Sequence, residues 1–153
     1  APMTHLQYLW QNLLAYAVIM IGQCVLVVAG GAWFGHTLYH PMKLFILYVL
    51  FSFTALAMAL AWNSIYRSSE SSFLAYMSLI VLMGVLGGMI MPLDMLPALL
   101  QRAAVLFPTY WLYEGMLDIA LDGLSTVKFV LACGMMGLYT LFFLVIGSLR
   151  RLN

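Results

Sequence analysis

Four stretches of this sequence carry no Asp, Glu, Lys or Arg: residues 6–35, 44–66, 71–93 and 129–149. The shortest holds 21 residues, and a helix needs about 20 to cross a hydrocarbon layer about 30 Å thick. Lipid offers no partner to an exposed backbone group, so such runs fold as helices. A membrane β-barrel would alternate in polarity over segments of about ten residues, and these runs do not alternate. Composition points the same way. Hydrophobic residues make up 65% of the chain and charged residues 7%, against about 45–50% and about 25% in soluble domains. A soluble domain of 153 residues could not hide that much apolar surface. The reading is an all-α integral membrane protein, one transmembrane domain with spans at roughly 10–34, 43–65, 72–91 and 127–149.

The linkers fit these bounds. Pro41 stands near the start of the second span, and the serines of residues 63–72 can cap helix ends. Gly123 and Thr126 suit the end of one helix and the start of the next. Four spans put both termini on one side. That side carries Arg67, Arg150 and Arg151, and the other carries Lys43, Arg102 and Lys128. The positive-inside count is a tie, so charge does not orient the chain. Gly31/Gly35, Gly84/Gly88, Ala55/Ala59 and Ala57/Ala61 have the spacing at which helices in lipid approach closely.

Residues 92–122 break the pattern. Pro92, Pro97 and Pro108 interrupt them, and Asp94, Arg102, Glu114, Asp118 and Asp122 are scattered through them. Charges are costly in mid-bilayer. The segment reads as two short helices, about 95–106 and 110–121, that dip into the membrane or lie on it and return. Asp94 would cap the first, with Pro97 in its first turn, and Thr109 would cap the second. Tyr110, Trp111 and Tyr113 are rings suited to the headgroup zone.

Glu114, Asp118 and Asp122 share one helix face. They suit the wet face of an interfacial helix, an outer vestibule, or a metal or acid/base site. No histidine, cysteine or serine nucleophile accompanies them at a recognisable spacing. Cys24 and Cys133 read as small apolar residues inside spans. His36 and His40 read as loop residues, because Gly35 and Pro41 argue for a turn. Two lysines and four arginines make no nucleic-acid footprint. The chain opens on Ala-Pro-Met without a signal-peptide pattern. That start is expected to be a processing scar or the cut end of a longer protein.

A family resemblance rests on the order of several pieces. They are Tyr66-Arg67-Ser68-Ser69, Gly87-Gly88, Pro92, Leu96-Pro97 and Phe107-Pro108-Thr109-Tyr110-Trp111. Over about 10–150 the chain resembles the membrane permease subunit of an ABC-2 type ABC transporter. The resemblance implies a six-helix unit, of which this chain supplies the last four helices. It reads as the C-terminal fragment of a longer permease, and residues 1–9 as the tail of a coupling region or a frayed end. The re-entrant motif would comprise Gly87, Gly88, Pro92, Asp94, Leu96, Pro97, Pro108, Tyr110 and Trp111. The resemblance further implies a bacterial inner membrane, cytoplasmic termini, residues 92–122 at the outer face, and pairing of two permease halves as a homo- or heterodimer.

No phosphate-binding loop is present. Lys43 and Lys128 follow Met42 and Val127, not the glycine that such a loop requires. ATP and Mg are therefore expected in a partner ATPase, with no cofactor in this chain. The expected activity is ATP-driven export of an apolar or amphipathic, drug- or lipid-like substrate. Candidates for lining the path are Trp33, Phe34, Phe51, Phe53 and Trp62. The alternative is a four-helix scaffold or assembly subunit that moves nothing. An intramembrane enzyme is disfavoured, because Asn12, Gln23, Ser52, Thr54 and Thr140 lie scattered along the spans.

Overall fold

A computed structural model describes residues 2, 4–34, 40–66, 68–121 and 126–149. Their regular structure is helical. The long helices are α1 (His5–Trp33), α2 (Pro41–Ile65), α3 (Ser69–Leu86) and α6 (Thr126–Leu149). All four are long and apolar enough to cross a membrane. A short 3₁₀ turn (Leu93–Met95), α4 (Ala98–Ala104) and α5 (Pro108–Ala120) lie between α3 and α6.

Local chemistry sets the ends. α1 starts earlier than position 10, because Thr4 and Gln7 form a reciprocal capping box. Pro41 opens α2, where its missing N–H is no loss. Ser68 precedes α3, but its side chain makes no capping bond, contrary to the role expected of the serines. α3 stops at Leu86 instead of running to 91. Gly88 takes φ 79, a left-handed value that glycine adopts without a Cβ penalty. At 18 residues α3 is about 27 Å long, the shortest of the four.

α2 is the central element. It packs on α1, α6 and α5, and its far end meets α3. The core joins Leu47 of α2, Leu112 and Ile119 of α5, and Ala132 and Met136 of α6. Of the small-residue pairs, Ala57 and Ala61 are buried, and Gly147 of α6 comes up to the Ala61 backbone. The Gly84/Gly88 pair does not form a helical contact face, because Gly88 has already left the helix. Gly35 lies outside the described residues. Outward faces remain apolar, with Val18 and Leu26 each 73% exposed. In water that would be untenable, whereas in a bilayer those faces meet hydrocarbon.

Polar contacts also tie the spans. Thr54 is fully buried, and its Oγ1 lies 3.1 Å from the carbonyls of Leu50 and Met136 and 3.0 Å from Thr140 Oγ1. Thr140 Oγ1 in turn reaches the Met136 carbonyl at 2.9 Å. Cys24 Sγ sits 3.4 Å from Ser52 Oγ, joining α1 to α2. The polar residues are thus less scattered than the sequence suggested, since the fold pairs Thr54 with Thr140. Thr54 of α2 reaches the Met136 carbonyl and the Thr140 hydroxyl, both on α6, and so ties the two helices.

Candidate functional site

The segment between α3 and α6 folds into a hairpin whose tip is residues 105–107. The first short helix is not the expected 95–106. Pro97 lacks an N–H, and Leu96 before it is extended (φ −84, ψ 148). The chain therefore makes a separate turn at Leu93–Met95 and starts α4 only at Ala98. Asp94 lies exposed in that turn and does not cap α4, whose N-cap residue is Pro97. Gln101 Nε2 donates to the Leu96 carbonyl at 2.8 Å and holds the bend closed. Leu96 itself is buried with Leu86 and Ala104. Pro92 precedes the turn at φ −56.

The second short helix begins at Pro108, with Phe107 as its N-cap residue. Thr109 is not the cap. It is buried, and its Oγ1 donates to the Met83 carbonyl of α3 at 2.6 Å. Gly87 makes this approach feasible. A Cβ there would fall 2.5 Å from both Cβ and Oγ1 of Thr109. Gly88 lies under the Tyr113 ring and Leu93, each 3.1–3.3 Å from where a Cβ would stand. The Gly-Gly pair thus serves two purposes: its first member admits the hairpin and its second turns the chain.

The tip lies half-way along α6, not level with its end. Tyr139, near the middle of α6, donates its hydroxyl to the Val105 carbonyl at 3.3 Å. Gly115 lies against Ala132, close to the start of α6, and against Leu47. α5 therefore runs back along α6, and the tip reaches about 20 Å from the first residue of α6. At that depth every backbone group needs a protein partner. The donor that another 3₁₀ turn would offer to the Val105 carbonyl is residue 108, a proline without N–H. Trp111 Nε1 fills the role at 3.0 Å, and Tyr139 adds a second bond. Tyr110 packs edge-on against Trp111. Burial, and then the Glu114 charge one turn on, raise the Tyr110 phenol above its ordinary value. It is therefore a neutral hydroxyl at any physiological pH.

The other candidates separate into groups. Glu114 and Asp118 are half-buried one turn apart on α5, and Asp122 lies outside the described residues. Among the described residues no three His, Cys, Asp or Glu side chains converge as metal ligands. His36 lies outside the described residues, and His40 is the N-cap residue of α2 at φ 50. Trp33 and Phe34 are 88% and 81% exposed at the hairpin end of α1. Phe51 packs on the α2–α5–α6 core, and Phe53 is half-buried. Trp62 donates to the Ser72 carbonyl at 3.1 Å and stacks on Tyr66, so it fastens α2 to α3.

The chain matches the family model described as ABC-2 family transporter protein over residues 1–149. It belongs to the ABC-2 transporter family. No curated protein and no solved structure matches it. As an ABC-2 family member it is an integral membrane protein and a transport permease, a transmembrane component that is not itself catalytic. Permeases of this family work in general with an ABC ATPase.

Trp111, a member of the expected motif, and Tyr139, which motif reading did not single out, together hold the Val105 carbonyl, a contact the motif did not specify. Trp111 had a signal, since Pro108 leaves the Val105 carbonyl without a backbone donor and Trp111 stands six positions on. Tyr139 had none, because its reach to residue 105 exists only once α6 has docked.

Proposed function

We propose that this chain is the transmembrane subunit of an ATP-driven ABC-2 exporter and forms half of a path for an apolar or amphipathic substrate. The observation that carries this reading is the hairpin, seated half-way along α6 and locked to α3, in a chain of this family. A structure that only filled the membrane would not require a polar, proline-broken wedge among its helices. ATP and Mg bind a separate ATPase, and its closure rocks two permease halves against each other. The hairpin travels with the end of α3 through Thr109 and Met83, so motion of α3 is transmitted to the outer half of the path.

Family architecture supports an orientation with both termini and the α2–α3 turn in the cytoplasm and the hairpin outward, in a bacterial inner membrane. Trp33 and Phe34 at the exposed end of α1 are suited to face the second half. Phe51 and Trp62 are engaged within this subunit, which makes them less suited to line a path. Glu114, Asp118 and Asp122 would wet the exit vestibule.

The test is affinity purification of the full-length permease from its native membrane. An ABC ATPase is expected to co-purify, and its ATPase rate is expected to rise with an amphipathic dye that inverted vesicles accumulate only with ATP. Recovery of the permease without an ATPase would favour a scaffold instead.

A further inference from the structure

We propose that a pocket beneath the hairpin tip holds one acyl chain of a membrane phospholipid, within the subunit and apart from the path between halves. α3 and α6 both lean on α2 and on the hairpin, but they do not pack on each other along their length. The tip wedges them apart, and below it remains a half-open pocket of about 320 Å³. Its walls include Met58 and Trp62 of α2, Met83 of α3, Phe107 at the tip, and Tyr139 and Ile146 of α6.

The chemistry of the walls selects the occupant. Two of the lining side chains can donate hydrogen bonds, and both are engaged elsewhere: Tyr139 with Val105 and Trp62 with Ser72. A bound water needs two to four polar partners, and these side chains offer it at most the Tyr139 oxygen as an acceptor. An amphipathic guest would bring polar groups that lose their hydration without compensation. Left empty, the cavity would deprive its walls of dispersion contacts. Apolar cavities of about 150 Å³ already take benzene, so this one has room for a run of methylenes. Around a span, hydrocarbon tails are the abundant guest of that shape. The proposal requires only that the chain spans a membrane, so it stands or falls independently of export.

The test uses the full-length permease in phosphatidylcholine vesicles in which a small share of the lipid carries a diazirine midway along one acyl chain. After irradiation, adducts are mapped by mass spectrometry. The expected result is enrichment on Met58, Met83 and Phe107 over the outward-facing Leu74 and Val81 of α3. Leu79→Trp and Leu106→Trp, which fill the pocket from two sides, are expected to abolish that enrichment and leave the labelling of Leu74 and Val81 unchanged. Unchanged labelling of Leu74 and Val81 shows that each variant is folded and inserted. Native mass spectrometry is expected to retain one phospholipid per chain in the parent and none in the filled variants. Even labelling of pocket and outer faces, enrichment that survives filling, or crosslinks placing a second copy of the chain in the cavity would each overturn the proposal.

Discussion

Thr109 joins the hairpin to α3 through one oxygen. In Thr109→Val the shape stays and the bond goes, but the Met83 carbonyl keeps the Gly87 N–H at 2.8 Å. No carbonyl is orphaned, so the loss should be only about 1 kcal/mol. Gly87→Ala is worse, because the new Cβ meets Thr109 and also the Met83 carbonyl at 2.9 Å. Overpacking of that kind costs about 1–3 kcal/mol. Gly115→Ala should cost less than Gly87→Ala, since its nearest obstacle is the end of the Leu47 side chain. Thermal unfolding of the three variants in one detergent checks the order. Thr54 and Thr140 make a second residue-level test. A double-mutant cycle with Thr54→Val and Thr140→Val should give a coupling of about 0.6 kcal/mol, typical of hydroxyl ties between membrane helices. At this scale the sequence was only partly legible. Glycines and prolines announce backbone geometry, which is why Gly87-Gly88 and Pro108 stood out. A threonine hydroxyl can cap its own helix or reach another one, and its neighbours in sequence do not distinguish the two outcomes.

Among the elements, the hairpin is the one with two states to test. Its tip carbonyl has two donors, one from α5 and one from α6. Trp111→Phe and Tyr139→Phe should each be mild, because either leaves Val105 with a partner. Together they leave the Val105 carbonyl unsatisfied at a membrane depth without water, so the double variant should lose more stability than the sum of the singles, by about 1–3 kcal/mol. Denaturant titration in lipid bicelles would show it, and strict additivity would refute it. Topology has its own test. With Cys24 and Cys133 replaced by alanine, Asp94→Cys and Asp118→Cys should both react with an impermeant maleimide from the same face of a sealed vesicle. Reaction from opposite faces would turn the hairpin into a crossing and remove the site. The existence of this element was legible, because three prolines and scattered charges cannot make a span. Its inner boundaries were not. Pro97 acted by forcing its predecessor into extended backbone, which moved the helix start past it.

At the scale of the whole molecule, α1 stands apart. It rests mainly on α2, and much of its apolar surface is open. Among the described residues, Lys43, Asp94, Glu114, Asp118 and Lys128 belong to elements at the hairpin end, Arg102 stands close to the tip, and Glu70 lies at the other end. If the exposed face of α1 meets a second half, cysteines at Val18 or Leu26 should form intermolecular disulfides in membranes, and cysteines at the buried Ala57 should not. Four spans were readable from charge-free runs alone, since length and hydropathy decide membrane crossing one segment at a time. Which span packs on which was not readable, because lipid and protein interior are equally apolar and leave the same mark on a sequence. One consequence follows from the doubled bond at Val105. Trp111 belongs to the hairpin and moves with it, while Tyr139 belongs to α6. Were α6 to slide away, the tip would keep its own chaperoning donor and present no bare carbonyl to oil. The joint can therefore open and reclose cheaply, like a catch with a built-in safety.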